Sequence, residues 1–395
     1  MLKSRVSKIA ALLVSHWAND GYSVVLPTLL LVFSLEFGLT TVQATQLVSV
    51  FAAASAIVQL PVAIWGDYAG RTREILAGGL FVLSAAMLGW GWSTSYSWLL
   101  FFAFLGGLGF SGYHPFSMNL MTQQYGDKKG FALGIHNVSG TMGATMVPII
   151  IGFFSYTWRL GLSLLAIPGL LSGLWILLSF DSFRNLNPGN KGMGIALRKT
   201  ILNPMLLLLS IFGGVNQMIY LGSVTFIPLV FAYRYGWTPA ATGLLIGAFH
   251  FSALVSQSLF GYLSDIMDRN RQLFALGIAV SVLCLMLFLA KSPIWSAILS
   301  VLIGAVVLAI RSPLVAKKAD IVGPETRSAA IAVGFTLNSG LGALAPLIGG
   351  HLEILYSYQA VFLVFGLFSF LSLGFLLAMR HLEKKSAAAS SPPLF

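Results

Sequence analysis

The sequence predicts an all-α membrane protein, with twelve transmembrane helices arranged as two pseudo-symmetric six-helix bundles. Three observations lead there. Hydrophobic residues make up 57% of the 395 residues and charged residues 9%, with a mean hydropathy of +0.86, leaving too little polar surface to wrap a water-soluble body. The apolar runs are about twenty residues long and unbroken, the length of a helix across hydrocarbon rather than of the short alternating strands of a membrane barrel. Finally, one offset of 198 carries Tyr22 to Tyr220, Gly38 to Gly236, Thr40 to Thr238, Asp67 to Asp265, Arg71 to Arg269, Arg73 to Arg271, Pro115 to Pro313 and Pro148 to Pro346, as a duplicated unit would.

Taken in order, the apolar segments fall at 9–34, 44–65, 74–93, 97–124, 130–154, 159–180, 203–231, 240–264, 271–290, 294–316, 328–350 and 358–380. Lys3, Arg5 and Lys8 before the first segment imitate a signal peptide, but that segment is too long and carries Asp20, so it reads as a membrane helix. A polar stretch at 181–202, with Asn187, Pro188, Gly189 and Asn190, reads as a cytoplasmic linker between a first bundle at 1–180 and a second at 203–382. The tail at 383–395 has no apolar period and is expected to be disordered.

An even number of crossings puts both termini on one side. Of the 23 Lys and Arg residues, all but Arg159, Arg234, Lys291 and Arg311 fall on the termini and the loops of that side, which is therefore expected to be cytoplasmic, in a multi-pass protein of the cytoplasmic membrane. The formal charge of +11 is thus a topology signal, and no nucleic-acid partner is expected. Cys284 is the single cysteine, so neither an intrachain disulfide nor a cysteine metal cluster can form. No phosphate loop, nucleophile elbow or metalloprotease motif is present, and neither enzyme activity nor a cofactor is expected. The expected partners are lipid and a small solute, and the expected state is a monomer.

The loop after the second segment carries Asp67, Arg71 and Arg73, and the loop after the eighth carries Asp265, Arg269 and Arg271. An acid at a helix end facing arginines across a turn can latch neighbouring helices in one conformation and release them in another. These loops resemble the signature loop of the major facilitator superfamily, Gly-x-x-x-Asp-Arg-x-Gly-Arg-Arg, with Ala63 and Tyr68 departing from it in the first copy and Asp268 in the second. Ser15-His16-Trp17-Ala18-Asn19-Asp20, Gly112-Tyr113-His114-Pro115 and Gly130-Phe131-Ala132-Leu133-Gly134 before Asn137 resemble the fosmidomycin-resistance branch, although Phe116 stands where that branch has an acid. The resemblance implies two six-helix bundles rocking about a central site, and drug efflux.

Within the membrane segments, His16 and Asp20 are four apart on one helical face with Asn19 beside them. Ionisable groups in hydrocarbon are costly and persist where they face a cavity, pair with one another or carry protons, so Asp20 with His16 is the expected proton-coupling pair, against a fixed polar knot joining segments one, four and five. Tyr113 and His114 precede Pro115 in a glycine-rich fourth segment that the proline should kink. For His114 a hydrogen bond between helices and a solute contact stay open, as they do for His136 and Asn137. Gly140, Ala144 and Pro148, and again Asn338, Gly342 and Pro346, make small-residue stripes against which a helix can press.

Arg311 is a permanent cation in the tenth segment, and three readings stay open: a pair with Asp20, a receptor for a solute carboxylate or phosphonate, or a side chain reaching out toward Lys317. Asn216, Gln217, Tyr220 and His250 could line the same cavity. His16, His114, His136 and His250 all lie in membrane segments, but no helix carries a His-x-x-x-His pair, and the expectation is that no metal is bound. The function expected is transport of a small drug-like or anionic solute, driven by the proton gradient, as efflux or alternatively as uptake of an organic anion.

Overall fold

A computed structural model describes residues 4–69, 71–125, 128–181, 202–322 and 327–390, with side chains for all of these except 66–69, 129–130, 327–332 and 386–390. Among the described residues there is no strand. In the first half, α1 (Arg5–Ser23) and α2 (Val25–Phe37) form one span, followed by α3 (Thr41–Ala69) and α4 (Thr72–Trp92). The fourth span is α5 (Tyr96–Ser111) with α6 (Tyr113–Gln123), and α7 (Lys129–Phe153) and α8 (Trp158–Ser179) complete the six. The second half contains α9 (Pro204–Tyr235), α10 (Pro239–Ile266) and α11 (Arg269–Leu289), then α12 (Pro293–Ala309) with α13 (Arg311–Ile321), α14 (Arg327–Leu355) and α15 (Ala360–Ser390). Eleven of these spans are long and apolar enough to cross a membrane. The other, α7, is 25 residues long, and His136, Asn137, Ser139, Thr141 and Thr145 interrupt its apolar run.

The duplication is visible in local chemistry. Gly38 and Gly236 end the first and seventh spans with φ of 61° and 68°, the left-handed conformation that a helix C-terminus takes most cheaply at glycine. Two residues on, Thr40 and Thr238 cap the next helices. Thr40 accepts from the Gln43 amide while Gln43 Oε1 accepts from the Thr40 amide, a reciprocal capping box, and Thr238 accepts from the Ala241 amide.

Three spans are broken in the middle, after Ser23, Ser111 and Ala309. Each break ends on the residue four before a proline (Pro27, Pro115 and Pro313), where the missing N–H leaves that carbonyl without its helical donor. The expected kink at Pro115 is therefore present, its counterpart at Pro313 matches it, and the one in the first span was not anticipated. Pro61, Pro148, Pro168, Pro228 and Pro346 sit inside helices that continue unbroken.

The two halves meet toward the end that carries the Gly38 and Gly236 turns. There α2 packs on α9 and α10, α3 on α14, and α7 on α10. The approach is close because glycines face backbone: a Cβ on Gly243 would collide with the Pro148 carbonyl oxygen, and one on Gly152 would lie 2.8 Å from that of Pro239. Thr41 and Tyr358 hydroxyls lie 3.1 Å apart across the same end. Toward the end bearing the chain termini, α1 and α6 pack within the first half and α13 within the second, so a gap opens between the halves on that side.

Two expectations change. Residues 383–390, expected to be disordered, continue α15, because Glu383 is held there by Lys317 and by the Asn270 amide at 2.9 Å. Lys318, counted among loop cations, is 3% exposed, with its Nζ against Gly334. The linker at 182–201 and the tail beyond 390 lie outside the described residues.

Candidate functional site

Asp20 lies on the last turn of α1, just before the break at Val24, and the breaks before Tyr113 and Arg311 bring those turns to the same depth. Its carboxylate is enclosed on three sides. His16 Nε2 lies 3.2 Å from Oδ2, His114 Nε2 lies 3.4 Å from Oδ1, and the Asn19 amide donates to Oδ1 at 3.1 Å. His16 Nδ1 lies 2.6 Å from the His136 carbonyl, which can only accept, so Nδ1 carries a proton and Nε2 is turned toward the carboxylate. Asp20 and His114 are each about a quarter exposed (25% and 26%), while His16 is buried, so the cluster has one open side.

The surrounding packing positions these groups. His16 stacks on His136 at 3.9 Å between ring centroids, and His136 Nε2 is held by Ser117 Oγ at 3.0 Å. Tyr113 is buried, with its hydroxyl 2.6 Å from Ser15 Oγ and donating to the Leu12 carbonyl at 3.0 Å, so it ties α6 to α1 and does not face the gap. Gly140 makes room: a Cβ there would lie 2.5 Å from Asp20 Oδ2 and 2.6 Å from His16 Nε2. His136, Gly140 and Gly143 recur at four and three residues along α7, the spacing of one helical face, which is the sequence signal that could have placed His136 in the cluster. Asn137 lies apart from it, exposed, on the face that continues through Thr141 and Thr145 toward α10.

Across the gap, Arg311 is exposed at the start of α13. Its guanidinium lies 4.7 Å from the Tyr220 ring centroid and donates to Gln217 Oε1 at 3.4 Å. It forms no ion pair with Asp20 among the described residues. His250 donates from Nδ1 to the Ile246 carbonyl at 2.9 Å, so its Nε2 accepts from the Tyr220 hydroxyl at 3.1 Å, and the tyrosine is held beneath the guanidinium. Asn216 is a structural tie instead, buried and donating to the Val307 carbonyl at 3.0 Å. A separate apolar hollow of about 450 Å³ lies between α3 and α14, lined by Ser49, Ala53, Ile57, Ala343 and Leu347 among others.

Of the expected latch, Arg269 bridges Asp265 at 3.2 Å and Asp320 at 2.7 Å, joining the ends of α10, α11 and α13. Asp320 was missed because it lies in no repeated motif. Arg71 is exposed beside α4, the Arg271 backbone amide donates to the α11 cap Asp268, and Arg73 pairs with Glu74 and donates to the Phe180 carbonyl at 3.0 Å. The Asp67 side chain lies outside the described residues.

Comparison with known proteins agrees with this arrangement. A family model described as Major Facilitator Superfamily matches residues 10–236 and again 206–393. The fosmidomycin resistance protein of Escherichia coli (strain K12) is 24% identical over 373 residues, covering 89% of this chain and 88% of that protein. The multi-drug resistance efflux pump PmrA homolog of Lactococcus lactis subsp. lactis (strain IL1403) is 26% identical over 338 residues, covering 82% of each. Among solved structures, a bacterial homolog to the human lysosomal transporter Spinster superposes with a TM-score of 0.80 at 18% identity, covering 96% of this chain and 98% of that one. A point mutant of the nucleoside transporter NupG superposes with a TM-score of 0.79 at 12% identity, covering 94% of this chain and 99% of that one.

Proposed function

The chain belongs to the Major Facilitator Superfamily, and from that membership we propose that it is a secondary active transporter that exports a small drug-like or anionic solute in exchange for protons. With both termini in the cytoplasm, the gap between the bundles faces inward. Asp20 and His16 are the proton site, and Arg311, with Gln217 and Tyr220, receives the negative end of the solute. One observation carries this reading: a carboxylate held between two imidazoles in the first bundle and a quarter exposed, with an exposed guanidinium resting on Tyr220 in the other bundle.

A proton held on Asp20 or shared with His16 Nε2 alters the net charge of the cluster. The conformation favoured by the protonated cluster then differs from that favoured by the bare one, so a proton gradient can bias the rocking cycle. Efflux is preferred to uptake because the two relatives described above, each covering more than four fifths of this chain, carry names of resistance or efflux. The test is flux in liposomes of purified protein with a clamped pH gradient, using fosmidomycin as the first probe. Asp20→Asn is expected to abolish gradient-driven flux and to preserve solute exchange. Unchanged proton dependence in that variant would sink the assignment, and accumulation in the direction of proton entry would replace export with uptake.

A further inference from the structure

The two-histidine, one-carboxylate cluster has a geometry that proton transfer alone does not require. His16 Nε2, an Asp20 oxygen and His114 Nε2 all lie within 4.8 Å of one another, with the two imidazole-to-carboxylate edges at 3.2 and 3.4 Å. Donor atoms held about 2.0–2.1 Å from a single zinc-like ion stand about 3.0–3.4 Å apart, the spacing at which each imidazole already stands from one oxygen of the carboxylate. The two imidazoles reach different oxygens of that carboxylate, and the His114 side chain is a quarter exposed.

We propose that His16, Asp20 and His114 bind a divalent first-row transition-metal ion of the Zn²⁺ and Co²⁺ class. Two further observations support a ligand at this point. His16 is 3% exposed, and its Nε2 is aimed at the middle of the cluster, where it meets the Asp20 carboxylate at 3.2 Å and, among the described residues, makes no hydrogen bond outside the cluster. Its other ring nitrogen donates to the His136 carbonyl, the outer contact that fixes the tautomer of a metal-ligating histidine and leaves Nε2 free to coordinate. Imidazole and carboxylate donors without thiolate suit this class of ion, and the quarter-exposed side leaves a coordination position open to the gap for water or for an anionic group on the solute. Histidine spacing along single helices excluded paired ligands on one helix, but it could not register convergence from α1 and α6.

The inference uses the same side chains as the proposed proton site but is read independently of transport. Purified protein, stripped with chelator and held in detergent, is titrated with Co²⁺ while its visible ligand-field absorption is followed. The expected result is a saturable band of one ion per chain that Zn²⁺ displaces, with affinity falling about 100-fold or more in His114→Ala and His16→Gln. His381→Ala, altering a histidine at the far end of α15, is expected to leave the band unchanged. His114→Cys supplies a positive control that a misfolded variant could not mimic: the band returns with an added thiolate-to-cobalt charge-transfer feature. Absence of a saturable band in the wild type, or a band indifferent to both histidine substitutions, overturns the metal site. With chelator added to the liposome flux assay, proton dependence is read without metal, so absence of the band leaves the proton reading standing, and loss of proton dependence with the cobalt band intact does the reverse.

Discussion

Single atoms decide the chemistry of the cluster. Gly140 carries no side chain where one carbon would sit within 2.6 Å of both Asp20 and His16, so Gly140→Ala is expected to push the carboxylate off its imidazoles and to reduce gradient-driven flux roughly tenfold or more. Gly134→Ala on the same helix adds its carbon into open space, and flux in that variant is expected to match the wild type. Equal flux from the two variants would mean that the cluster geometry is not used. The sequence placed His16, Asn19 and Asp20 on one face because helical periodicity is local. It left His114 undecided between a structural bond and a solute contact, because which helix stands opposite it is set by packing between helices.

At the scale of elements, proline breaks and glycine crossings do most of the positioning. α1 and α7 approach so closely that a Cβ on Gly143 would collide with the Trp17 carbonyl oxygen, and this crossing sets His136 against His16. The counterpart between the bundles is α7 on α10 at Gly243. Gly243→Leu is expected to wedge the bundles apart at the end that is closed in this structure. Thiol labelling can follow this in a Cys284→Ser background, since Cys284 is the only native thiol and is buried. A cysteine placed at Thr41, whose hydroxyl lies 3.1 Å from that of Tyr358, should label several-fold faster in the wedged variant, and unchanged labelling would mean that this contact does not hold the closed end. The prolines were legible in sequence, and so was the break at Pro115, but the break at Pro27 was not, since Pro148 and Pro346 show that a proline in an apolar run need not break its helix.

For the whole molecule, the issue is how two bundles move about one site. Arg269 joins Asp265 to Asp320 at the end where the gap opens, and Lys317 with Asn270 holds Glu383 of α15 beside it. These groups are partly or largely exposed and screened, so Asp320→Asn is expected to change stability by less than about 1 kcal/mol, a small shift in thermal unfolding. Its effect should appear in turnover, with a lowered maximal flux and an unchanged KM. An unchanged maximal flux would reduce the bridge to a static tie.

Composition, run length and the 198-residue offset determined a twelve-span duplicated helical protein, and hydrophobic patterning suffices for that because every backbone polar group in lipid must bond within its own helix. Asp20 and Arg311 were legible as candidate functional residues for a related reason: an ionisable group is costly in hydrocarbon. Only the tertiary structure decided that His114 and His136 join His16 around Asp20, that Asn216 is spent on the Val307 carbonyl, and that Arg311 rests on Tyr220 instead of pairing with Asp20. Such contacts join residues some hundred positions apart, and helix against helix is settled by side-chain size and close backbone approach, for which a single chain carries no local periodic signal.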